Sequence, residues 1–318
     1  MAEAIYKDDF ETVEMPAPEA VASGEIFQLP DGRAGVYPGL NTAASGDTIA
    51  LRTHGRFKVL KTASIVILKG GRVFWDKSAS TATPLEAYGT NDFYLGTAAD
   101  DAASADATLL VDLNVQPVNT IDLHKGEWET AVVLTSGTPD LKMRGGTAEM
   151  TFSATAEAQK VDLLSKNSVL ASNGFIFESK FAVYDIGDDA ALDINIGVAN
   201  ATHATDGDAI TESVFFHFDG TALDILAESD DGTTEVAATD TTVNAVDDTY
   251  VEVWMDARDL TDIQLYVDGV LVLGGSVFKL DAATGPIKAL AHLEKTSNDT
   301  TADVRVGHMA IRTMDILS

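Results

Sequence analysis

Hydrophobic and polar residues alternate with period two along most of this chain, the spacing of half-buried β-strands. Phe175, Phe177, Phe181 and Val183 fall on one face of an extended run, with Glu178, Lys180 and Tyr184 on the other. Ile194, Ile196 and Val198 alternate with Asp193 and Asn195, and Val251, Val253 and Met255 with Glu252, Trp254 and Asp256. Ile263, Leu265 and Val267 lead straight into Asp268-Gly269 and then Val270-Leu271-Val272. That Asp-Gly pair predicts a hairpin, because a type I′ turn needs positive φ at both central residues. A second hairpin is predicted in VFFHFDGTALDIL, turning at Asp219-Gly220. With Ile287–Leu293 and Val304–Ile311, about ten antiparallel strands are expected, each with one wet face, which is the pattern of a two-sheet sandwich. One stretch departs from it: AEAQKVDLLS, Ala156 to Ser165, predicts a short helix.

Shorter strands with more Gly and Ala precede this region. Ile26–Leu29, Ala34–Tyr37, Thr48–Arg52, Arg56–Leu60, Arg72–Trp75, Phe93–Leu95 and Leu109–Leu113 are separated by turns such as VASGE and NTAASGD. That spacing suggests a small barrel or β-roll. Between the two regions lies SGTPDLKMRGG, Ser136 to Gly146, whose Gly, Pro, Ser and Asp break strands. The expected organisation is therefore all-β, with a small barrel or roll over 1–138 and an antiparallel sandwich over 147–318.

Composition narrows the function. The chain has 318 residues, enough for two cores, and 50 acidic against 21 basic residues give a net charge of −29. Such a surface repels phosphate backbones and anionic lipid, so neither nucleic acid nor membrane is an expected partner. No Lys or Arg occurs between Lys180 and Arg258. The absence of cysteine excludes disulfides, thiolate metal sites and cysteine nucleophiles. The acidic N-terminus lacks an apolar h-region, so no secretory signal is expected and synthesis in a cytoplasm is the starting point.

Catalytic patterns are missing. There is no P-loop, dinucleotide fingerprint, HExxH or G-x-S-x-G, so no catalytic residue, cofactor or metal site is assigned. His54, His124, His203, His217, His292 and His308 stand singly in sequence, and zinc needs three or four convergent ligands. His217, between Phe216 and Phe218, is expected on the wetter strand face. Sandwich glycosidases place paired acids on one strand. The nearest piece, Glu228-Ser229-Asp230-Asp231-Gly232, has Thr233 where a last Glu would stand and reads as a turn. Asp188-Asp189, Asp206-Gly207-Asp208, Asp230-Asp231 and Asp247-Asp248 offer oxygens to calcium but also suit solvated turns. Trp75, Trp128 and Trp254 sit in apolar strand contexts and are expected in cores.

Several segments resemble a known family. YKDDFETVEMPAPEAVASGE at the N-terminus, AASGDTIALRTHGRFKVLK (Ala43–Lys61), GGRVFWD (Gly70–Asp76) and LGTAADDAASADATLLVDLN (Leu95–Asn114) follow in the order seen in tailed-phage capsid cement, or head decoration, proteins. Ile5 to Leu113 resembles that family's small β domain. WMDARDLTDIQLYVDGVLV, Trp254 to Val272, resembles a concanavalin-like jelly roll. The first resemblance implies a structural, non-enzymatic protein on the outer surface of a virion, clamping the major capsid protein and working as a homotrimer, with the jelly roll projecting outward. The second leaves open a different role, adsorption to host-surface glycans through the jelly roll. Ile5, Tyr6, Phe10 and Val13, in an extended N-terminal arm ahead of Met15-Pro16-Ala17-Pro18, are the candidate capsid-binding residues. Proline there is expected to end any strand ladder, because it lacks an N–H.

Overall fold

The computed structural model describes residues 12–86, 91–118, 120–122, 128–134, 139–144, 147–186, 192–201, 207–219 and 223–313. The chain divides into two compact units, Met1–Val118 and Asn119–Ser318. The division falls ahead of the expected seam. Within that seam, Asp140–Arg144 is itself a strand, and the strands just before it pair into the second unit.

In the first unit, β1 (Thr12–Pro16), β2 (Ile26–Gln28), β3 (Ala34–Val36) and β4 (Thr48–Arg52) form a four-stranded sheet ordered β1-β4-β3-β2. A five-stranded sheet follows, ordered β5-β9-β8-β6-β7. Its members are β5 (Arg56–Leu60), β6 (Arg72–Asp76), β7 (Thr81–Thr83), β8 (Phe93–Ala98) and β9 (Thr108–Leu113). A parallel bridge between Lys61 and Ala82 brings β7 back to the end of β5, so the sheet curls toward a small barrel. Ile26, Ala34 and Val36 join Val73, Trp75, Leu95 and Val111 in one core, while Val21, Phe27, Ile49 and Leu51 build a second.

Asn114 ties these parts together. Its φ of 58° turns the chain after β9, a conformation that asparagine tolerates. Its Oδ1 accepts from the Ala34 N–H at 2.8 Å, and its Nδ2 donates to the carbonyls of Ala34 (2.9 Å) and Thr53 (2.8 Å). The side chain thus behaves as an extra peptide group linking β3, the end of β4 and the end of β9. Gly96 has φ +154° with the Asp112 carbonyl 2.1 Å from where a Cβ would stand, so no side chain fits there.

The second unit holds β10 (Thr120–Asp122), β11 (Trp128–Leu134), β12 (Asp140–Arg144), β13 (Thr147–Phe152), β14 (Glu157–Ser165) and β15 (Val169–Leu170). Next come β16 (Phe175–Ile186), β17 (Leu192–Ala199), β18 (Ser213–Asp219), β19 (Asp224–Asp230) and β20 (Glu235–Asn244). The last are β21 (Val251–Ala257), β22 (Gln264–Val267), β23 (Val270–Val272), β24 (Pro286–Asn298) and β25 (Ala302–Arg312). One sheet runs β12-β13-β25-β16-β21-β22-β23, with β10 also on β25. The other runs β11-β14-β24-β17-β18-β19-β20, with β15 also on β24. Their inner faces share one core, in which the rings of Phe181 and Phe218 meet edge to face at 5.3 Å. This is the antiparallel sandwich that the alternation predicts.

The hairpin at Asp268-Gly269 forms as expected: φ is 48° and 79°, and Val267 pairs with Val270. The strands around Asp219 also pair, although Gly220 lies outside the described residues. The predicted helix does not form. Ala156–Ser165 has helix-favouring residues, but it becomes β14, bonded on both sides by β11 and β24. Val161 and Leu163 fill the core there while Lys160 and Asp162 are buried on the opposite face, so tertiary pairing overrides local propensity.

Candidate functional site

The four expected arm residues divide. Ile5, Tyr6 and Phe10 lie outside the described residues. Val13 is half-buried on β1, where it packs with Met15 on the core of Phe27 and Leu51. Here the structure corrects the sequence: Pro16 does not stop the ladder. β1 pairs with β4 from Thr12↔Arg52 through Pro16↔Thr48, and proline is tolerated because β1 is an edge strand. Beside β1 a groove of about 570 Å³ opens between the unit's sheets, lined among others by Met15, Pro18, Phe27, Leu29, Lys77 and Phe93. An edge strand next to an apolar groove is a surface onto which a partner's chain can dock. Leu60 and Leu110 stand exposed on β5 and β9 of the same unit.

The second unit carries a polar cluster on the outer face of the β14–β24–β17–β18–β19 sheet. Strand register aligns Asp162, His292, Asn195 and His217 in one row, and Lys160, Glu294 and Asp193 in the next. His292 Nδ1 lies 2.6 Å from Asp162 Oδ1 and its Nε2 lies 2.8 Å from Glu294 Oε2, while Lys160 Nζ reaches Asp162 Oδ2 at 3.0 Å. Burial opposes the charge on His292, but hydrogen bonds to Asp162 and Glu294 outweigh it and push the imidazole up to about 9.

Around His217 acids outnumber bases. Its Nδ1 is 3.1 Å from Asp208 Oδ1 and 3.5 Å from Glu228 Oε1, and its Nε2 is 3.5 Å from Asp193 Oδ1. Asn195 Nδ2 donates to the same Asp208 oxygen at 3.0 Å. Burial raises both Asp193 and Glu228 to about 7. For His217 burial acts downward, but hydrogen bonds to Asp208 and Glu228 and the Asp193 charge prevail, pushing it up to about 11. Asp208 is held below the usual carboxylate range; burial opposes this and the His217 contact outweighs it. Residues 207–210 close over the row. Ile210 packs with Ala199, Phe215 and Leu290, and a Cβ on Gly207 would stand 2.3 Å from Asn195 Nδ2.

The sequence missed this convergence because its members come from different strands and a loop. His217 does lie on the outer face, but it is buried rather than wet. Glu228, expected in a turn, is on β19. Of the acidic pairs, Asp208 joins the cluster, whereas Asp230 and Asp231 accept backbone N–H groups of Gly232, Thr233 and Thr234 in a turn. Asp248 has φ 57° in another turn. Asp188, Asp189 and Asp206 lie outside the described residues, as do His124 and His203. On the other sheet, His308 Nε2 meets Glu178 Oε1 at 3.0 Å, Arg312 pairs with the same carboxylate, and Lys180 lies 3.7 Å from Glu252. Trp75 is in a core, Trp128 packs partly against one, and Trp254 is buried on an outer face.

Three comparisons with known proteins bear on identity. No curated protein matches the chain. Among solved structures, the Emp47p carbohydrate recognition domain is 12% identical at a TM-score of 0.44, covering 61% of this chain and 95% of that one. LamAcat from Zobellia galactanivorans is 12% identical at a TM-score of 0.43, covering 58% and 90%. Both lie below the similarity that would inform on ligand or activity. The sequence match is of another kind: residues 7–113 match the family described as phage cement protein. It spans the strands β1 to β9. The first unit of this all-β chain is thus similar to phage cement proteins over residues 7–113, and an antiparallel sandwich follows it.

Proposed function

We propose that the protein is a structural, non-enzymatic component of a virion, bound through its first unit to the major capsid protein on the outer surface of a tailed-phage head. The match of residues 7–113 to the phage cement family carries this reading. The fold supports it, because β1 is the edge of its sheet among the described residues and lies beside the groove of Met15 and Phe27. Residues 2–11 lead into that edge and supply the capsid-binding arm; the sandwich projects outward. The protein works as a homotrimer, in which the exposed Leu60 and Leu110 give association apolar surface to cover. Repulsion between copies of charge −29 makes that trimer weaker in dilute buffer than near physiological salt.

Co-sedimentation with undecorated heads of a tailed phage that encodes the chain tests the reading. The full chain pellets with the heads, and a variant lacking residues 2–11 stays in the supernatant with an unchanged β-type far-UV spectrum. Failure of the full chain to bind overturns the function; undiminished binding by the truncated chain overturns the arm. Sedimentation equilibrium at two salt concentrations reads the trimer.

A further inference from the structure

We infer that Asp193, Asp208 and His217, with Glu228 beside them, form a binding site for one divalent transition-metal ion of the Mn²⁺ or Zn²⁺ kind. This goes beyond the capsid role and does not depend on it.

The first observation is geometric. One ligand atom each from Asp193, Asp208 and His217 lies within 4.8 Å of the others, close enough to share an ion. Strand pairing fixes two of them, because β17 carries Asp193 and its neighbour β18 carries His217. Asp208 arrives on the segment that Ile210 and Gly207 hold down.

The second observation is an excess of acceptors. Asn195 is fully buried, and its Oδ1 has no hydrogen-bond partner although its Nδ2 reaches Asp208. Asp193 Oδ1 and Glu228 Oε1 are also buried, each 3.5 Å from a His217 nitrogen and with no closer donor. A buried acceptor left without a donor is costly, and a cluster of them is relieved by a cation.

The donor set selects the ion. Three carboxylates and an imidazole suit a borderline divalent ion; calcium takes six to eight oxygens and rarely a nitrogen. On binding, the ion displaces the proton that His217 carries between its acidic neighbours, and the proton leaves to solvent. A hollow of about 320 Å³, lined by Asp208, Ser213, Glu228 and Glu235, gives the ion a way in. Once seated, the ion pins the Gly207–Ile210 segment to the sheet.

Calorimetric titration of the tag-free, chelator-stripped full chain with Mn²⁺, Zn²⁺ and Ca²⁺ tests the site. One equivalent of Mn²⁺ or Zn²⁺ should bind, with Ca²⁺ at least about tenfold weaker; Asp208→Asn and His217→Gln should each weaken the transition metal by about tenfold or more. Because His217 is buried, an unmutated readout accompanies the variants: substoichiometric Mn²⁺ should broaden the His217 imidazole signals before those of His54 and His308. No uptake by the wild-type chain would mean that the His217 proton alone balances the acids, and overturns the proposal. So does uptake that both folded variants retain, or broadening that spares His217.

Discussion

The two units satisfy their enclosed polar groups differently. In the first unit backbone groups are the partners: the half-buried Asn114 carboxamide mimics a peptide and joins backbone to backbone, and the buried Lys61 donates to the carbonyls of Thr62 and Ile65. In the second, charged side chains are packed flat on the outer faces of a large sandwich, where Lys160, Asp162 and His292 are each at most 4% exposed along their side chains. A small unit with thin cores gains from a neutral staple, which costs little to desolvate. A large apolar core can carry ionised groups, but their pairing makes its stability depend on pH. The difference can be tested unit by unit by scanning calorimetry of the full chain.

The largest effect is expected from emptying the sandwich core. Phe216 is fully buried on β18, and Phe216→Ala should destabilise the second unit by about 3–5 kcal/mol, leaving the first unit's transition in place. A shift of both transitions together would show that the units do not melt independently.

Alkaline pH should come next. His292 has a folded value of about 9 against 6.5 for the free group, so it binds its proton more tightly when folded. Its contribution is complete below about pH 6.5 and is lost as pH rises through 9. Scans at pH 6, 8 and 10 should therefore show the second transition falling steadily with pH. In His292→Gln that fall should be shallower; an unchanged slope would place the pH dependence elsewhere.

Asn114→Ala should act on the first unit alone. It removes three hydrogen bonds and places alanine at φ 58°, for a loss of about 2–3 kcal/mol read from the first transition. A cost under about 0.5 kcal/mol would mean that water replaces the staple. The smallest change should come from Gly269→Ala, which strains a turn residue at φ 79° by about 1 kcal/mol, seen only in the second transition.

Much of this architecture is legible in the sequence, for a definable reason. Strands with one apolar face, such as Val251–Ala257, announce themselves by period two, and Asp268-Gly269 marks its turn through backbone chemistry. β14 misleads because its alternation is confined to Lys160, Val161, Asp162 and Leu163, too short to outweigh the helix-favouring residues around it, and nothing in it shows that Lys160 and Asp162 are buried. The same residues hide the polar cluster. Asp193, Asp208, His217 and Glu228 look like solvated surface when read singly, and only the pairing of β17, β18 and β19 brings them together. Pro16 misleads at β1, because its missing N–H matters on an inner strand but not at this edge.

The order of strands in the sandwich also bears on how the protein is made. β24 and β25, formed from residues 286–312, occupy interior positions, one in each sheet: β24 lies between β14 and β17, and β25 between β13 and β16. A nascent chain that has emerged only as far as residue 285 therefore holds sheets with their middles missing, and cannot complete the fold while it is still being translated. The first unit, whose strands all lie before residue 114, has no such wait. Synthesis thus delivers a finished first unit followed by an unfinished sandwich, and a chain cut short before residue 286 exposes two interrupted sheets to proteases and chaperones.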